Sequence, residues 1–173
     1  MSDAWIGLLG ALIGGGLSLI GAFGVASYQH SKNAKAVTMA IRAEIDALLK
    51  IVETREYVTQ LAEWETEWRR GIHRPRTISV KREYFSIFKS NSSGVGLLPP
   101  SSVGHVVEFY TLAMGFIEDC DTWSETVKAS PDGPWPINEE NIAETRTVLE
   151  KAVAAGKQAV SAIDNHYRSA CTG

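Results

Sequence analysis

Few residues of this 173-residue chain have the types and spacing that chemistry requires. His105 and Glu108 stand three apart in a stretch of helical periodicity, and Glu118, Asp119 and Asp121 follow on the same stretch. A two-metal centre in a helical bundle takes a Glu-x-x-His pair from each of two helices and further glutamates besides, so that ligands converge from opposite sides. Here one pair occurs, once and in reversed order, and no metal site is expected. The turn Asn91-Ser92-Ser93-Gly94-Val95-Gly96 has the glycine and serine of a phosphate loop. It lacks the preceding strand and the following Lys-Ser/Thr that make such a loop bind, so it reads as a structural turn. Cys171 follows His166 near the end of the chain with no third group to orient a base. No catalytic residue and no cofactor is assigned, and the chain is not read as an enzyme.

Charge offers more. The run RRGIHRPRTISVKR places Arg69, Arg70, Arg74, Arg76, Lys81 and Arg82 around His73, with no acid between Glu67 and Glu83. Such a density of cations can bind the phosphates of nucleic acid or lipid, or an acidic protein. The plainer alternative is a solvated loop whose cations pair with acids elsewhere in the chain. The acids are there: residues 1–100 carry twelve Lys/Arg against nine Asp/Glu, whereas residues 101–173 carry five against eleven. That split suits head-to-tail packing between copies, although a pair of solvated acidic helices is the commoner source of such a split.

The stretch that must position all of this is the start of the chain. Ala4 to Gln29 contains no charged side chain. At a rise of about 1.5 Å per residue it makes a helix of roughly 39 Å, enough to cross a hydrocarbon core about 30 Å thick with some tilt. Trp5 and Tyr28 stand near its two ends, where amphipathic rings prefer the headgroup level. A cleaved signal peptide is the rival reading, since Gly24-Val25-Ala26 resembles a cleavage site. The residues before the run, however, hold Asp3 and no Lys or Arg, and the run is longer than a signal peptide's apolar core of about 7–15 residues. Lys32, Lys35 and Arg42 follow it, which predicts an N-terminus outside and the remainder in the cytoplasm, at the inner (plasma) membrane.

Small residues recur along this run. Gly10, Gly14, Ser18, Ala22 and Ala26 repeat every four residues, and Gly7, Ala11 and Gly15 form a shorter row beside them. In lipid, close backbone approach across such rows supplies packing energy. A seam of this kind predicts a homo-oligomer joined through the span.

After the span, the apolar spacing of Val37, Ile41, Ile45, Leu48 and Val52, resumed by Val58, Leu61 and Trp68, predicts one stalk helix from Lys32 to Trp68. Trp64 and Trp68, four apart, should share a core or interface face. Gly71 and Pro75 end it. Ser101 or Ser102 can cap a further helix carrying Val103, Val106, Val107, Tyr110, Met114 and Ile117. Asn138 can cap the last, whose stripe is Ile142, Leu149, Val153, Val160, Ile163 and Tyr167, with a thin middle at Ala152, Ala155, Gly156 and Ala159. Cys120 and Cys171 have no metal-like spacing, and free thiols are expected.

Tyr84-Phe85, Phe88, Asn91, Gly96-Leu97-Leu98 and Val106-Val107-x-Phe109-Tyr110 resemble small bacterial single-pass membrane proteins with a glycine-rich N-terminal anchor and a helical cytoplasmic domain. The resemblance implies a helical domain and carries no functional residue with it.

The expected fold is therefore all-α: a transmembrane anchor over residues 1–30, a stalk or first bundle helix over 31–70, and the rest of a three- to four-helix cytoplasmic domain over 71–173. Two functions fit. One is a membrane-anchored, self-associating interaction module that presents the basic loop to a cytoplasmic partner. The other is an oligomeric effector whose assembled spans form a pore and depolarise the membrane, as in antiviral defence.

Overall fold

The computed structural model describes residues 2–78, 80, 82–130, 133, 135 and 137–169, with the backbone alone for residues 2–23 and Arg82. Every regular element among them is helical, as the periodicity predicts. Helix α1 runs Ser2–Thr54 and α2 runs Tyr57–Arg69. A 3-10 turn at Arg82–Phe85 leads into the short α3, Ser86–Ser90, and a second 3-10 turn spans Ser92–Leu97. The long α4, Pro100–Ala129, and α5, Glu139–Ser169, complete the chain.

The expected stalk from Lys32 to Trp68 is not one helix. Neither Pro nor Gly interrupts it, yet Glu56 adopts a left-handed conformation at φ 52° and ψ 35°, and the helix stops and restarts there. A left-handed residue costs about 1–2 kcal/mol. The restart turns Tyr57, Leu61 and Trp64 into the core, all nearly or fully buried. Tyr57 meets Phe116 at a ring separation of 6.2 Å, and Trp64 meets Trp123 edge-on at 5.0 Å. Burying such side chains returns roughly 1.5–3 kcal/mol each, which exceeds the strain.

The break shifts the register without reversing the chain. Along α5, Arg42 pairs with Asp164, Leu49 lies against Gly156, Glu65 pairs with Arg146 and Arg69 with Glu139. The second half of α1 and α2 thus form one line antiparallel to α5. Helix α4 runs parallel to that line, with Tyr110 at Glu44, Phe116 at Tyr57 and Trp123 at Trp64. Between α2 and α4 the chain returns along the groove they leave: the Arg74 carbonyl accepts from Trp64 Nε1, Ile87 reaches Glu44, and Gly94 lies against Val37. The result is three long rods and one irregular return segment around a common core. By helix rise, Arg69 lies about 54 Å along the line from Asn33.

Close packing is most severe at Gly156, where the expected thin middle of α5 meets its neighbours. A Cβ there would stand 2.8 Å from the Phe109 ring and 3.1 Å from Leu49 Cδ2, well inside the ~3.5–4.0 Å of carbon contact. Ala152, Ala155 and Ala159 beside it are also buried. On α4 the core arc is broader than the predicted stripe. Phe109, Ala113, Phe116, Cys120 and Trp123 join it, while Val107 is left 44 % exposed, because α4 packs against both α5 and the return segment.

Cap positions divide. Asn138 caps α5 as expected, its Oδ1 accepting from the Asn141 amide at 2.8 Å while Asn141 Oδ1 accepts from the Asn138 amide at 3.3 Å. At α4 the cap position belongs to Pro99 and not to Ser101 or Ser102. Pro100 follows inside the helix, where a missing N–H has no partner to lose; the buried Ser102 hydroxyl donates back to the Pro99 carbonyl at 2.8 Å.

Among the described residues no helix is long and apolar enough to cross a membrane. The expected span at 4–29 falls largely on side chains outside them, as do the seam positions Gly7, Gly10, Ala11, Gly14, Ser18 and Ala22. Its last residues are described, and Gly24 to Asn33 are exposed throughout.

Candidate functional surfaces

The basic loop is folded onto the helix that precedes it. Gly71 takes φ +78°, a conformation open to glycine, and lets the Gly71 and Ile72 amides donate back to the carbonyls of Trp68 and Glu67. The chain then doubles back, held by the Trp64 indole on the Arg74 carbonyl at 2.9 Å and by His73 stacked on Trp68 at 4.8 Å. Trp64 and Trp68 do share a face, edge to face at 6.0 Å.

This fold consumes part of the charge. Arg69 bridges Glu139 at 2.8 Å and Glu65 at 2.9 Å. Arg76 bridges Glu67 at 2.7 Å and Glu63 at 3.5 Å. Glu65 also accepts from Arg146, which reaches Glu150 at 2.7 Å. The acids come from α2 and from the first half of α5, so the second half of the chain answers only part of the basic run. Arg70 and Arg74 remain exposed and without an ion pair among the described residues, next to His73 and to Ile72, which is 42 % exposed. Lys81 and the side chain of Arg82 lie outside the described residues.

Of the seam, Ala26 is described and exposed, and Gly24 two residues earlier has open space around it. Tyr28, 61 % exposed, carries the Lys32 ammonium over its ring at 4.8 Å. Val25 is nearly as open at 58 %.

One functional-looking group escaped the sequence reading. Glu44, a carboxylate on α1, is buried at 6 % exposure. Its carboxylate accepts from the Ile87 amide at 2.7 Å, the Phe88 amide at 2.9 Å and the Tyr110 hydroxyl at 2.6 Å. Burial first, then the neighbouring carboxylate, pushes the Tyr110 hydroxyl far above its usual range, so it stays a donor. The signal was present: Glu44 follows Ile41 by three and precedes Leu48 by four, inside the core stripe. All three partners are internal, which makes this a structural clamp for the return segment.

The remaining candidates are not brought together among the described residues. His105 is half-buried and Glu108 exposed, with no hydrogen bond between them, and no cluster of three or more metal-type ligands occurs among the described residues. Cys120 is a free buried thiol pushed up to about 12 by burial and by Asp119 and Asp121; Cys171 lies outside the described residues. An open groove of about 790 Å³ flanks the α1–α2 break, lined by the apolar Leu49, Val52 and Val153 and by charged residues of both signs, Asp46, Lys50 and Lys157 among them. Compared with known proteins, the chain matches no family model, no curated protein and no solved structure.

Proposed function

We propose that this protein is a membrane-anchored, self-associating helical module, held at the inner membrane by residues 4–29 with its N-terminus outside and its bundle in the cytoplasm. The observation that carries the reading is continuity. The charge-free run and the first core residues of the bundle, Thr38 and Ile41, belong to the same helix, so whatever holds the run also holds the bundle. Val25 and Tyr28, strongly exposed where α1 leaves the bundle, suit an interfacial depth, and the Lys32 ammonium over Tyr28 suits the headgroup level. The small-residue rows of Gly10, Gly14, Ser18, Ala22 and Ala26, and of Gly7 and Ala11, supply the association seam.

At the far end of the bundle, Arg70 and Arg74 with His73 present cations to an acidic segment of a cytoplasmic protein. Two unpaired arginines suit a short acidic peptide better than a nucleic acid, whose binding draws on many phosphate contacts. The test is the mass of the detergent-solubilised chain beside Gly14→Ile. A discrete oligomer is expected for the parent and a monomer for the variant; a monomer in both overturns self-association. Depolarisation of cells on overexpression, lost in the same variant, would replace the module reading with the pore.

A further inference from the structure

Three stretches far apart in sequence meet where α1 leaves the bundle: residues 24–43 of α1, residues 90–107 of the return segment and α4, and residues 165–169 at the end of α5. Gly94 lies so close to Val37 that a Cβ added to it would stand 3.3 Å from Val37 Cγ1, which brings the second to the first. The Arg42–Asp164 bond at 2.7 Å, and the Lys35 ammonium 5.6 Å from the centre of the Tyr167 ring, bring the third. None of the three contains an aspartate or glutamate. The nearest acid on α5, Asp164, is bound by Arg42, and Arg168 adds to the field that keeps it ionised. The nearest on α4 is Glu108, one residue beyond the stretch. Lys32, Lys35 and Arg168 are exposed and without a carboxylate partner among the described residues, beside exposed His30 and His166.

We infer that this end of the bundle is a docking face for an anionic phospholipid surface, which sets the bundle against the membrane once the span is inserted. The inference rests on the anchored reading above. Its chemistry is separate from insertion: cations drawn from both α1 and α5 gather within a Debye length of about 8 Å of the leaflet and find phosphates there. Tyr28 and Tyr167, each with a lysine over its ring, place aromatic edges at the same level. The absence of acids from all three stretches removes the repulsion that would otherwise lift the face away.

The test uses the full chain with Cys171→Ser and a dye on Ser93→Cys, an exposed site on this face; Cys120, buried and fully protonated near neutral pH, stays unlabelled. A second chain carries the dye on exposed Thr66→Cys at the far end. Both are reconstituted into vesicles of phosphatidylcholine, with or without phosphatidylglycerol, bearing a headgroup quencher. Quenching at position 93 is expected with phosphatidylglycerol, lost in high salt, and absent at position 66. Lys32→Glu, Lys35→Glu and Arg168→Glu should each lower the docked-to-free ratio about fivefold or more. Equal quenching with and without phosphatidylglycerol overturns the docking face. Carbonate extraction separates the two readings. A chain that washes out yet still floats with phosphatidylglycerol vesicles loses the anchor and keeps the face, whereas one that washes out and does not float loses both.

Discussion

The two ends of the bundle treat charge in opposite ways. At the far end, where α2 finishes and α5 begins, cations are dense and partly spent: Arg69, Arg76 and Arg146 are tied to Glu63, Glu65, Glu67, Glu139 and Glu150, while Arg70 and Arg74 are left over. At the near end, where α1 emerges, cations are sparse, and Lys32, Lys35 and Arg168 face no acid within pairing distance among the described residues. A charge run in sequence therefore measures local density and says little about what remains available after folding. What remains available depends on which strands of the chain become neighbours. The exposed ion pairs of the far end are each worth only about 0–1 kcal/mol; their larger effect is to cancel part of the field of the basic run and leave Arg70 and Arg74 to supply the rest. The near end keeps its field because three acid-free stretches happen to converge there.

One carboxylate of α1 near this end, Glu44, is internal. Removing it gives the largest effect expected anywhere in the molecule. Glu44→Ala strands two backbone amides and the Tyr110 hydroxyl, each left with a desolvation cost of about 1–3 kcal/mol, so a loss of roughly 4 kcal/mol is expected in denaturant unfolding. Glu44→Gln should lose about half as much, because its carbonyl still accepts one bond while its NH₂ confronts the remaining donors. Faster hydrogen exchange at Ile87 and Phe88, with α5 unchanged, would place the damage in the return segment. An undiminished stability would mean that the segment is held by Phe88 stacked on Tyr110 at 3.8 Å, and that the carboxylate is incidental.

Much of the helical layout was legible beforehand. The Ile41–Ile45–Leu48 stripe, the Asn138 cap and the thin, close-packed face at Gly156 each follow from spacing and side-chain size, which are local properties. The break at Glu56 was not legible, because no local residue demands it. It arises from the fit of Tyr57 and Trp64 against Phe116 and Trp123, more than fifty residues away in sequence. The role of Glu44 was not legible for a related reason: a carboxylate inside an apolar stripe is tolerable only with three donors waiting, and those donors come from α3 and α4. The density of the basic run is plain in the sequence, whereas the pairing of Arg69 with Glu139 depends on an antiparallel register that only the folded chain discloses.

A smaller effect tests the far end. Arg146→Ala removes a bridge from Glu65 to Glu150 and should cost about 1 kcal/mol at low salt, falling towards zero as salt is raised. If the cost persists at high salt, the half-buried arginine is acting through packing of its stem, and the picture of a mutually cancelling charge network fails.

The smallest effect belongs to Arg42 and Asp164, an ion pair at the border of the near end. The Arg42 guanidinium, by its paired hydrogen bonds first, holds the Asp164 carboxyl below the usual carboxylate range. Because the folded value lies below the unfolded one, the pair stabilises the protein above the unfolded value of about 3.9. That contribution is lost as pH falls through the folded value. Both groups are partly exposed, so Arg42→Ala should cost only about 0.5 kcal/mol at neutral pH. The difference between parent and variant should then shrink as the solution is acidified and vanish once Asp164 is protonated in both states. The same variant frees Asp164 next to Arg168 and puts a bare carboxylate beside the docking face, which should weaken quenching at position 93 on phosphatidylglycerol vesicles. A variant that loses stability yet docks unchanged would show that the pair serves only the α1–α5 contact. One that docks less at unchanged stability would show that its main work is to keep an acid away from the lipid.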